Sequence, residues 1–450
     1  MQPGDLLDLD ITDVAHGGVF IARHDGRVVF VADAIPGERV RVRLTDTAKS
    51  AFWRAVVVEV LDASPHRRPH VWSAADVAVD PDLRPGGADL GHIALAHQRE
   101  LKTRVLLSAL ERFGGLVPPI AATVVGARPI LTEGGEVLAQ ESADGARWRT
   151  RVSLHVDEAG RVGPYAARSH RVIEVDDLPL ATAEIAEAAR SLSVAPGRID
   201  LVQAADGRVR VVPRPEAERP RSSGRRRGGG RRNGPAADAA PRTSAAATET
   251  VIEQVAGRRF RVDAGGFWQV HRLAAHTLAS VVADAVREAG GVDPEAQHLD
   301  LYGGVGLFAA TLGELGGPAT RITTVESDRS ATEHAGENLA EWVGARAETD
   351  RTERYLARLQ AQAGAAERAR LARGVTLLDP PRAGAGRQVV EGVAALAPAS
   401  VVYVACDPVA LARDLGTFRE LGYEPRRIDA LDLFPHSHHL EAVALLQRVE

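Results

Sequence analysis

Apolar and polar positions alternate in short runs over the first part of the chain. The runs at 5–14, 17–24, 27–32, 38–44 and 52–61 have the two-residue period of half-buried strands. Asp25-Gly26 is a favoured hairpin turn between the second and third, and Pro36-Gly37 sets off the fourth. Five short strands predict a small closed barrel of the OB type over residues 1–62. Residues 64–95 are rich in Pro, Gly and Asp and read as irregular. Residues 97–113 switch to a helical period, with Leu101, Val105, Leu106, Ala109 and Leu110 on one face. From 121 to 213 the pattern mixes: a hairpin of 148–156 with 161–167, a helix at 181–192, and a hairpin of 199–203 with 208–212. Residues 63–213 are therefore expected to form a mixed α/β central domain.

Between 214 and 250 the apolar positions nearly stop. An Arg/Gly-rich run from Arg219 to Arg232 and an Ala/Thr/Pro tract predict a disordered linker. Its arginines fit either a flexible arm on RNA phosphates or a solubilising spacer. From 251 to 450 strands (297–302, 321–325, 375–378, 401–405, 442–449) alternate with helices (307–315, 332–343, 388–396, 408–421). That rhythm predicts an α/β domain with a Rossmann-like, doubly wound parallel sheet.

Composition narrows the function. The chain of 450 residues is 45% hydrophobic and 26% charged, the balance of an ordinary globular protein. With 55 basic and 60 acidic residues the net charge is -5, so any phosphate binding must use local patches. Arg23, Arg39, Arg41, Arg43, Lys49 and Arg54 supply either such a patch on the barrel or an ordinary solvated surface. Cys406 is the single cysteine, which excludes a disulfide framework, a Cys-ligated zinc site and an intact iron–sulfur cluster within one chain. The N-terminus has no signal-peptide pattern, and the uncharged stretch at 392–406 is too short to span a bilayer. A cytoplasmic location without membrane or metal is expected, with a monomer as the default.

The stretch His298-Leu299-Asp300-Leu301-Tyr302-Gly303-Gly304-Val305-Gly306 is a strand running into a glycine-rich turn. Glycines let a backbone approach a ligand at the carboxyl end of a sheet, so Gly304 and Gly306 are candidate cofactor contacts. A glycine turn alone can be a mere tight connection, but two carboxylates sharpen it. Asp300 stands just ahead of the glycines, and Glu326 closes the next strand, where an acid can hold a ribose diol. An acid in the position of Asp300 suits the ammonium group of an amino-acid-bearing cofactor, which favours S-adenosylmethionine over a dinucleotide. Asp350, near the end of the expected third strand, is a candidate near the adenine or a helix N-cap.

Three later segments should reach the same end of the sheet: Asp379-Pro380-Pro381-Arg382, Cys406-Asp407-Pro408, and Pro435-His436-Ser437-His438-His439-Leu440-Glu441. Cys406 is a candidate nucleophile, which needs partial exposure and a lowered pKa. A small buried hydrophobe is the plain alternative. Glu441 is a candidate base if burial raises its pKa, or else a surface Glu at a strand start. The three histidines lack a Cys or carboxylate partner set, so loop hydrogen bonding is expected rather than metal.

Together these segments, with Phe267-Trp268-Gln269-Val270-His271, resemble the RNA uracil-C5 methyltransferase family, whose members make 5-methyluridine in tRNA or ribosomal RNA. The resemblance covers nearly all of 251–450, and the barrel is similar to a TRAM domain, an RNA-binding module. It implies a class I S-adenosylmethionine-dependent enzyme acting on RNA, with 23S rRNA favoured over tRNA. It further implies Gln269, Tyr302, Glu326 and Asp379 as cofactor or substrate contacts, Cys406 as nucleophile and Glu441 as base. The chain departs from the family pattern at Asp407 (commonly Asn), His271 (often Asn) and Gly303 (often Cys). Pro85-Gly86-Gly87-Ala88 and Leu178 stand where many members have iron–sulfur cysteines. A cytosine-C5 methyltransferase usually has a second motif cysteine, and an exocyclic-amine methyltransferase needs neither Cys406 nor Glu441. A tRNA-directed enzyme, and a non-catalytic RNA-binding or ribosome-assembly protein that kept the fold, are the remaining alternatives.

Overall fold

The computed structural model describes residues 1–117, 120–167, 169–192, 194–214 and 244–449. Strands β1 (Leu6–Ala15), β2 (Val19–His24), β3 (Arg27–Ala32), β4 (Arg39–Asp46) and β5 (Phe52–Asp62) close into a barrel in the order β1-β2-β3-β5-β4. Alternate residues fill it: Phe20, Ala22, Val29, Val31, Val40 and Val42 are fully buried. Asp25 and Gly26 both take positive φ, 48° and 77°, which matches the turn to the right-handed twist of the strands it joins. Glu38, buried at the barrel's edge, accepts both forks of Arg67 at 2.6 and 2.7 Å and so ties down the irregular stretch that follows.

Helix α1 (Leu95–Gly114) carries its buried Leu106, Ala109 and Leu110 onto the C-terminal half of the molecule. After β6 (Val124–Gly126) and the small pair β7 (Ile130–Leu131) and β8 (Val137–Ala139) come β9 (Arg151–Val156), β10 (Val162–Gly163), α2 (Ala183–Arg190), β11 (Gly197–Gln203) and β12 (Val209–Arg214). Four of these strands form an antiparallel sheet in the order β10-β9-β11-β12. Of the expected linker, residues 215–243 lie outside the described residues. Its expected ends belong to strands: Arg214 closes β12, and Thr250 opens β13.

The hairpin of β13 (Thr250–Val255) and β14 (Arg258–Asp263) and helix α3 (Ala274–Glu288) lead into the alternating region. This comprises β15 (Gln297–Leu301), α4 (Leu307–Gly316), β16 (Arg321–Glu326), α5 (Arg329–Asn338), β17 (Ala345–Thr349), α6 (Thr352–Gln362), α7 (Ala365–Leu371), β18 (Val375–Leu378), α8 (Gly386–Leu396), β19 (Ser400–Ala405), α9 (Pro408–Glu420), β20 (Tyr423–Asp432) and β21 (Glu441–Arg448). Eight strands make one sheet in the order β17-β16-β15-β18-β19-β21-β20-β6. Neighbouring strand residues serve opposite layers, as a doubly wound sheet requires. Leu377, Val402 and Val404 pack with Leu278, Val281 and Leu312, whereas Leu378, Val401 and Tyr403 pack with Val393, Leu411 and Phe418.

The expected parallel, doubly wound sheet is corrected at one strand. Strand β21 runs antiparallel to both β19 and β20, and β6 joins the edge parallel to β20. Strand β20 escaped the sequence pattern because Pro425 and two arginines interrupt it, and a register shift lies between Pro425 and Arg427. Strand β17, Ala-Arg-Ala-Glu-Thr, is a half-exposed edge strand without apolar alternation.

A buried charge network joins α1 to the end of β20. Lys102 reaches Asp432 at 2.5 Å and the Phe434 carbonyl at 3.0 Å, and Arg99 bridges Asp432 (3.3 Å) and Glu141 (2.6 Å). Lys102 and Asp432 are both almost wholly removed from water. Lys102→Met would strand a buried carboxylate and is expected to cost about 3–5 kcal/mol in denaturant unfolding, with most of it recovered by adding Asp432→Leu.

The glycine turn rests on a second buried acid. Asp300 accepts hydrogen bonds from the Ala309 amide (3.1 Å), in the first turn of α4, and from the Thr324 hydroxyl (3.2 Å). It substitutes for a cap that Gly306 cannot provide. Its other oxygen, Oδ1, has no hydrogen-bond partner among the described residues. A Cβ at Gly303 would lie 1.9 Å from the Thr324 hydroxyl, so this chain fills with Thr324 the space that a larger residue needs. Burial first, opposed by those two hydrogen bonds, pushes the Asp300 carboxyl up to about 7. The folded state therefore holds this proton more tightly than the unfolded chain, and stability from Asp300 is lost as pH rises from about 4 through about 7. Asp300→Asn cannot titrate, so its Tm relative to the parent should climb between pH 5 and pH 8; a constant difference contradicts the assignment.

Candidate active site

The carboxyl ends of β15, β16, β18 and β19 and the amino end of β21 meet around a cavity of about 1,120 Å³. Trp148, Arg149 and the loop carrying Phe267, Trp268 and Gln269 close it from the other side. Gln269, Tyr302, Gly304, Glu326, Asp379, Cys406 and Glu441, far apart in sequence, all line this one space. Three candidates do not. Asp300 lies beneath the glycine turn, Gly306 starts α4 with φ at 92°, and Asp350 is engaged by Arg354 and Arg358.

Tyr302 has a positive φ of 62°, as has Gly304 at 54°, so the chain turns sharply as it leaves β15. The Gly304 amide donates to Glu326 at 3.2 Å. The other Glu326 oxygen accepts the amides of Ser327 (2.5 Å) and Asp328 (2.8 Å), which fixes the carboxylate at the cavity wall.

Antiparallel pairing of β19 with β21 places Ala405 opposite Ala442, so Cys406 and Glu441 occupy the next rung. Glu441 is 6% exposed. Its burial, reinforced by Asp379, pushes the carboxyl well above the usual range, with Arg382 opposing. Asp379 is pushed up to about 7 by burial, then by Asp300 and Glu326. Cys406 is half-buried, and burial followed by the charges of Glu441 and Asp379 pushes its thiol up to about 12. The lowered pKa expected of a nucleophile is thus not found in this structure. Arg382, whose guanidinium lies 3.3 Å from His439 Nε2, acts in the opposite sense.

Hydrogen bonds and an ion pair hold the loop between β20 and β21 in place. The His436 amide donates to Gln98 (2.8 Å), its ring contacts Gln98 and the Asp144 carbonyl, and His438 pairs with Asp89 at 2.7 Å. Among the described residues there is no group of His, Cys, Asp or Glu that fits a metal ion. Ala88 and Leu178, where iron–sulfur cysteines are expected, are buried in an apolar cluster with Trp72 and Trp148, so the residues present do not fit a cluster.

Some contributors were not legible in the sequence. Asp407 accepts the Val409 and Ala410 amides, capping α9, while its second oxygen lies 2.9 Å from His16 in the β1–β2 turn. Gly18 in that turn packs so closely on Asp89 and His438 that a Cβ there would lie 3.0 Å from Asp89. No sequence signal links residue 16 to residue 407. Arg149, in the segment Trp148-Arg149-Thr150-Arg151, enters the cavity wall with no ion-pair partner among the described residues.

Comparison with known proteins agrees with this arrangement. Residues 2–58 match the TRAM domain, and residues 292–449 match the tRNA (Uracil-5-)-methyltransferase family. An uncharacterized RNA methyltransferase of Streptomyces avermitilis is 38% identical over 99% of this chain and 98% of its own. The 23S rRNA (uracil(1939)-C(5))-methyltransferase RlmD of Halomonas elongata is 32% identical over 98% of this chain and 89% of its own. Pyrococcus abyssi tRNA (uracil-54, C5)-methyltransferase, solved in complex with S-adenosyl-L-homocysteine, shares the fold with a TM-score of 0.62 at 20% identity, over 97% of this chain and 99% of that one. With relatives matching along its whole length and the same succession of barrel and mixed sheet, the chain belongs to the RNA uracil-C5 methyltransferase family.

Proposed function

We propose that this enzyme forms 5-methyluridine at one uridine of 23S rRNA, using S-adenosylmethionine, with Cys406 as nucleophile and Glu441 as base. It acts on RNA as a cytoplasmic monomer in this reading. The parts proposed are a barrel at 1–62, a central region at 63–213, a linker at 214–250 and a methyltransferase domain at 251–450. The observation that carries the proposal is the single thiol standing opposite a buried carboxylate, one rung beyond the Ala405–Ala442 pair, in the lining of a ligand-sized cavity. The ribosomal target is supported by the RlmD relative, which is named for 23S rRNA and is 32% identical, against 20% for the tRNA enzyme.

The cavity suits a cationic ligand. Asp89, Asp263, Glu326, Asp328, Asp379 and Glu441 line it against Arg149, Arg214 and Arg382, an excess of acids. Glu326 would hold the ribose diol, and Gln269, Tyr302 and Asp379 would contact cofactor or base. When bound, S-adenosylmethionine supplies an electrophilic methyl group to an electron-rich carbon.

Uracil C5 is a poor nucleophile until something adds at C6. The Cys406 thiolate would form a bond to C6, moving electrons onto C5 and O4 as an enolate. After C5 gains its methyl group, Glu441 would take the C5 proton. The C6–S bond would then break and return the electron pair to sulfur. A carboxylate with a strongly raised pKa is a good acceptor for that proton. The uridine must first leave its stack, at a cost of about a few kcal/mol.

The test is transfer of labelled methyl groups to rRNA and tRNA from cells lacking this gene, with nucleosides identified by mass spectrometry. The proposal expects label in 5-methyluridine of 23S rRNA and no detectable turnover for Cys406→Ala. Glu441→Gln should stop after at most one turnover, with RNA held covalently and visible as a shifted band in a denaturing gel. Label in tRNA alone overturns the target, and an active Cys406→Ala overturns the mechanism.

A further inference from the structure

Two loops bring the reacting side chains to the cavity. The turn after β19 carries Cys406, and the loop between β20 and β21 leads into Glu441. One turn of the barrel touches both. His16-Gly17-Gly18 joins β1 to β2, and His16 Nε2 lies 2.9 Å from Oδ2 of Asp407, the residue next to Cys406. Oδ1 of Asp407 accepts the Val409 and Ala410 amides, so this one carboxylate ties the start of α9 to the barrel. Two residues on, Gly18 sits against the Asp89–His438 pair. An added Cβ would lie 3.0 Å from Asp89 and 3.1 Å from His438. The φ of Gly18 is 70°, in the left-handed region, so only glycine lets the turn come this close. The turn is also held from behind. Asp13, near the end of β1, pairs with Arg104 of α1. The segment that carries Asp89 is gripped by the barrel in turn. Arg84 donates to Asp33 (2.7 Å) and to the Val57 carbonyl (3.0 Å), and the His92 ring lies 3.0 Å from the Ala34 carbonyl.

We infer that the β1–β2 turn is a clamp that fixes the separation of Cys406 and Glu441, with His16 as a positioning residue acting through Asp407. Glu441 is the first residue of β21 and is held by the sheet. Pairing of β19 ends at Ala405, so Cys406 stands in a turn that no strand ladder holds. A sulfur that must reach C6 and a carboxylate that must reach the proton on C5 of the same ring tolerate little relative movement. A misplacement of about 1 Å can cost on the order of a hundredfold. Without His16, Asp407 would keep its cap on α9 but leave a charged oxygen unpaired beside the nucleophile. An Asn at 407 would keep the cap and has no charge to pair. The inference rests on the reading of Cys406 as nucleophile and Glu441 as base, and adds the residue from outside the sheet that holds them in register.

The test measures kcat and KM of the full chain with S-adenosylmethionine and unmethylated RNA from cells lacking this gene. His16→Ala should lower kcat about tenfold and leave S-adenosylmethionine affinity at the parental value. In an Asp407→Asn background the same change should cost less than about twofold, because no charge there needs His16. A role confined to folding of the barrel would cost the same in both backgrounds. Gly18→Ala should lower kcat as well. Gly17→Ala brings similar left-handed strain, but its added carbon meets nothing within 4 Å, so it should lose less. Added to Glu441→Gln, His16→Ala should slow the appearance of the covalent RNA band, which reads the attack step itself. Parental kcat in His16→Ala, with Cys406→Ala inactive, overturns the inference alone. Equal losses in the two backgrounds overturn it too, as does a fall in S-adenosylmethionine affinity that matches the fall in kcat. An active Cys406→Ala overturns the inference together with the reading beneath it, since no nucleophile would then need positioning.

Discussion

The antiparallel entry of β21 between β19 and β20 is the constraint on which the site depends. A parallel strand there would end, not begin, at the cavity, and Glu441 would lie at the far edge of the sheet. Antiparallel pairing instead brings Glu441 to the rung beside Cys406, buried and facing Asp379. The consequence is electrostatic. Asp300, Asp379 and Glu441 all hold their protons more tightly than free carboxylates, chiefly because burial penalises their charge. Burial first, then the charges of Glu441 and Asp379 when ionised, raise the Cys406 thiol in the same way.

Holding that arrangement requires support from outside the sheet. Helix α1 anchors the β20–β21 connection through Lys102 on Asp432 and Gln98 on His436, so the loop that carries Glu441 is fixed by residues more than three hundred positions away. The barrel supports the opposite wall through His16 on Asp407. Asp407 departs from the family's usual Asn, yet it keeps the cap on α9 that either residue can make, and its extra charge has His16 as a partner. Where many relatives place cluster cysteines, Ala88 and Leu178 join an apolar core with Trp72 and Trp148.

Much of this was legible in the sequence, for identifiable reasons. The barrel strands were readable because short β-rich runs are set off by turn signals such as Asp25-Gly26 and Pro36-Gly37. Cys406 and Glu441 were readable because each flanks an apolar run, 401–405 and 442–446, and the turn because three glycines follow β15 at 303, 304 and 306. The direction of β21 was not, because an apolar run has the same pattern in a parallel or antiparallel neighbour. Strand β20, bent at Pro425, and edge strand β17 lack the pattern altogether. Asp300 was read as a cofactor contact from its place before the glycines; the fold instead uses it to hold the turn. His16 and Arg149 have meaning only once distant segments meet. The sequence left Arg41 and Arg43 as either part of a basic patch or an ordinary solvated surface, and in the fold they pair with Asp8, Glu59 and Asp82.

The most direct test of the central claim follows from Cys406 being the chain's single cysteine, so that any thiol labelling reports on it. The rate of alkylation by iodoacetamide should be measured against pH for the parent and for Glu441→Gln. The account predicts a parental midpoint far above the ordinary thiol range, near the value of about 12 that burial and the acids impose. It predicts a clear fall in the variant, where one charge is gone and Arg382 is less opposed. An ordinary midpoint that Glu441→Gln leaves in place would contradict it.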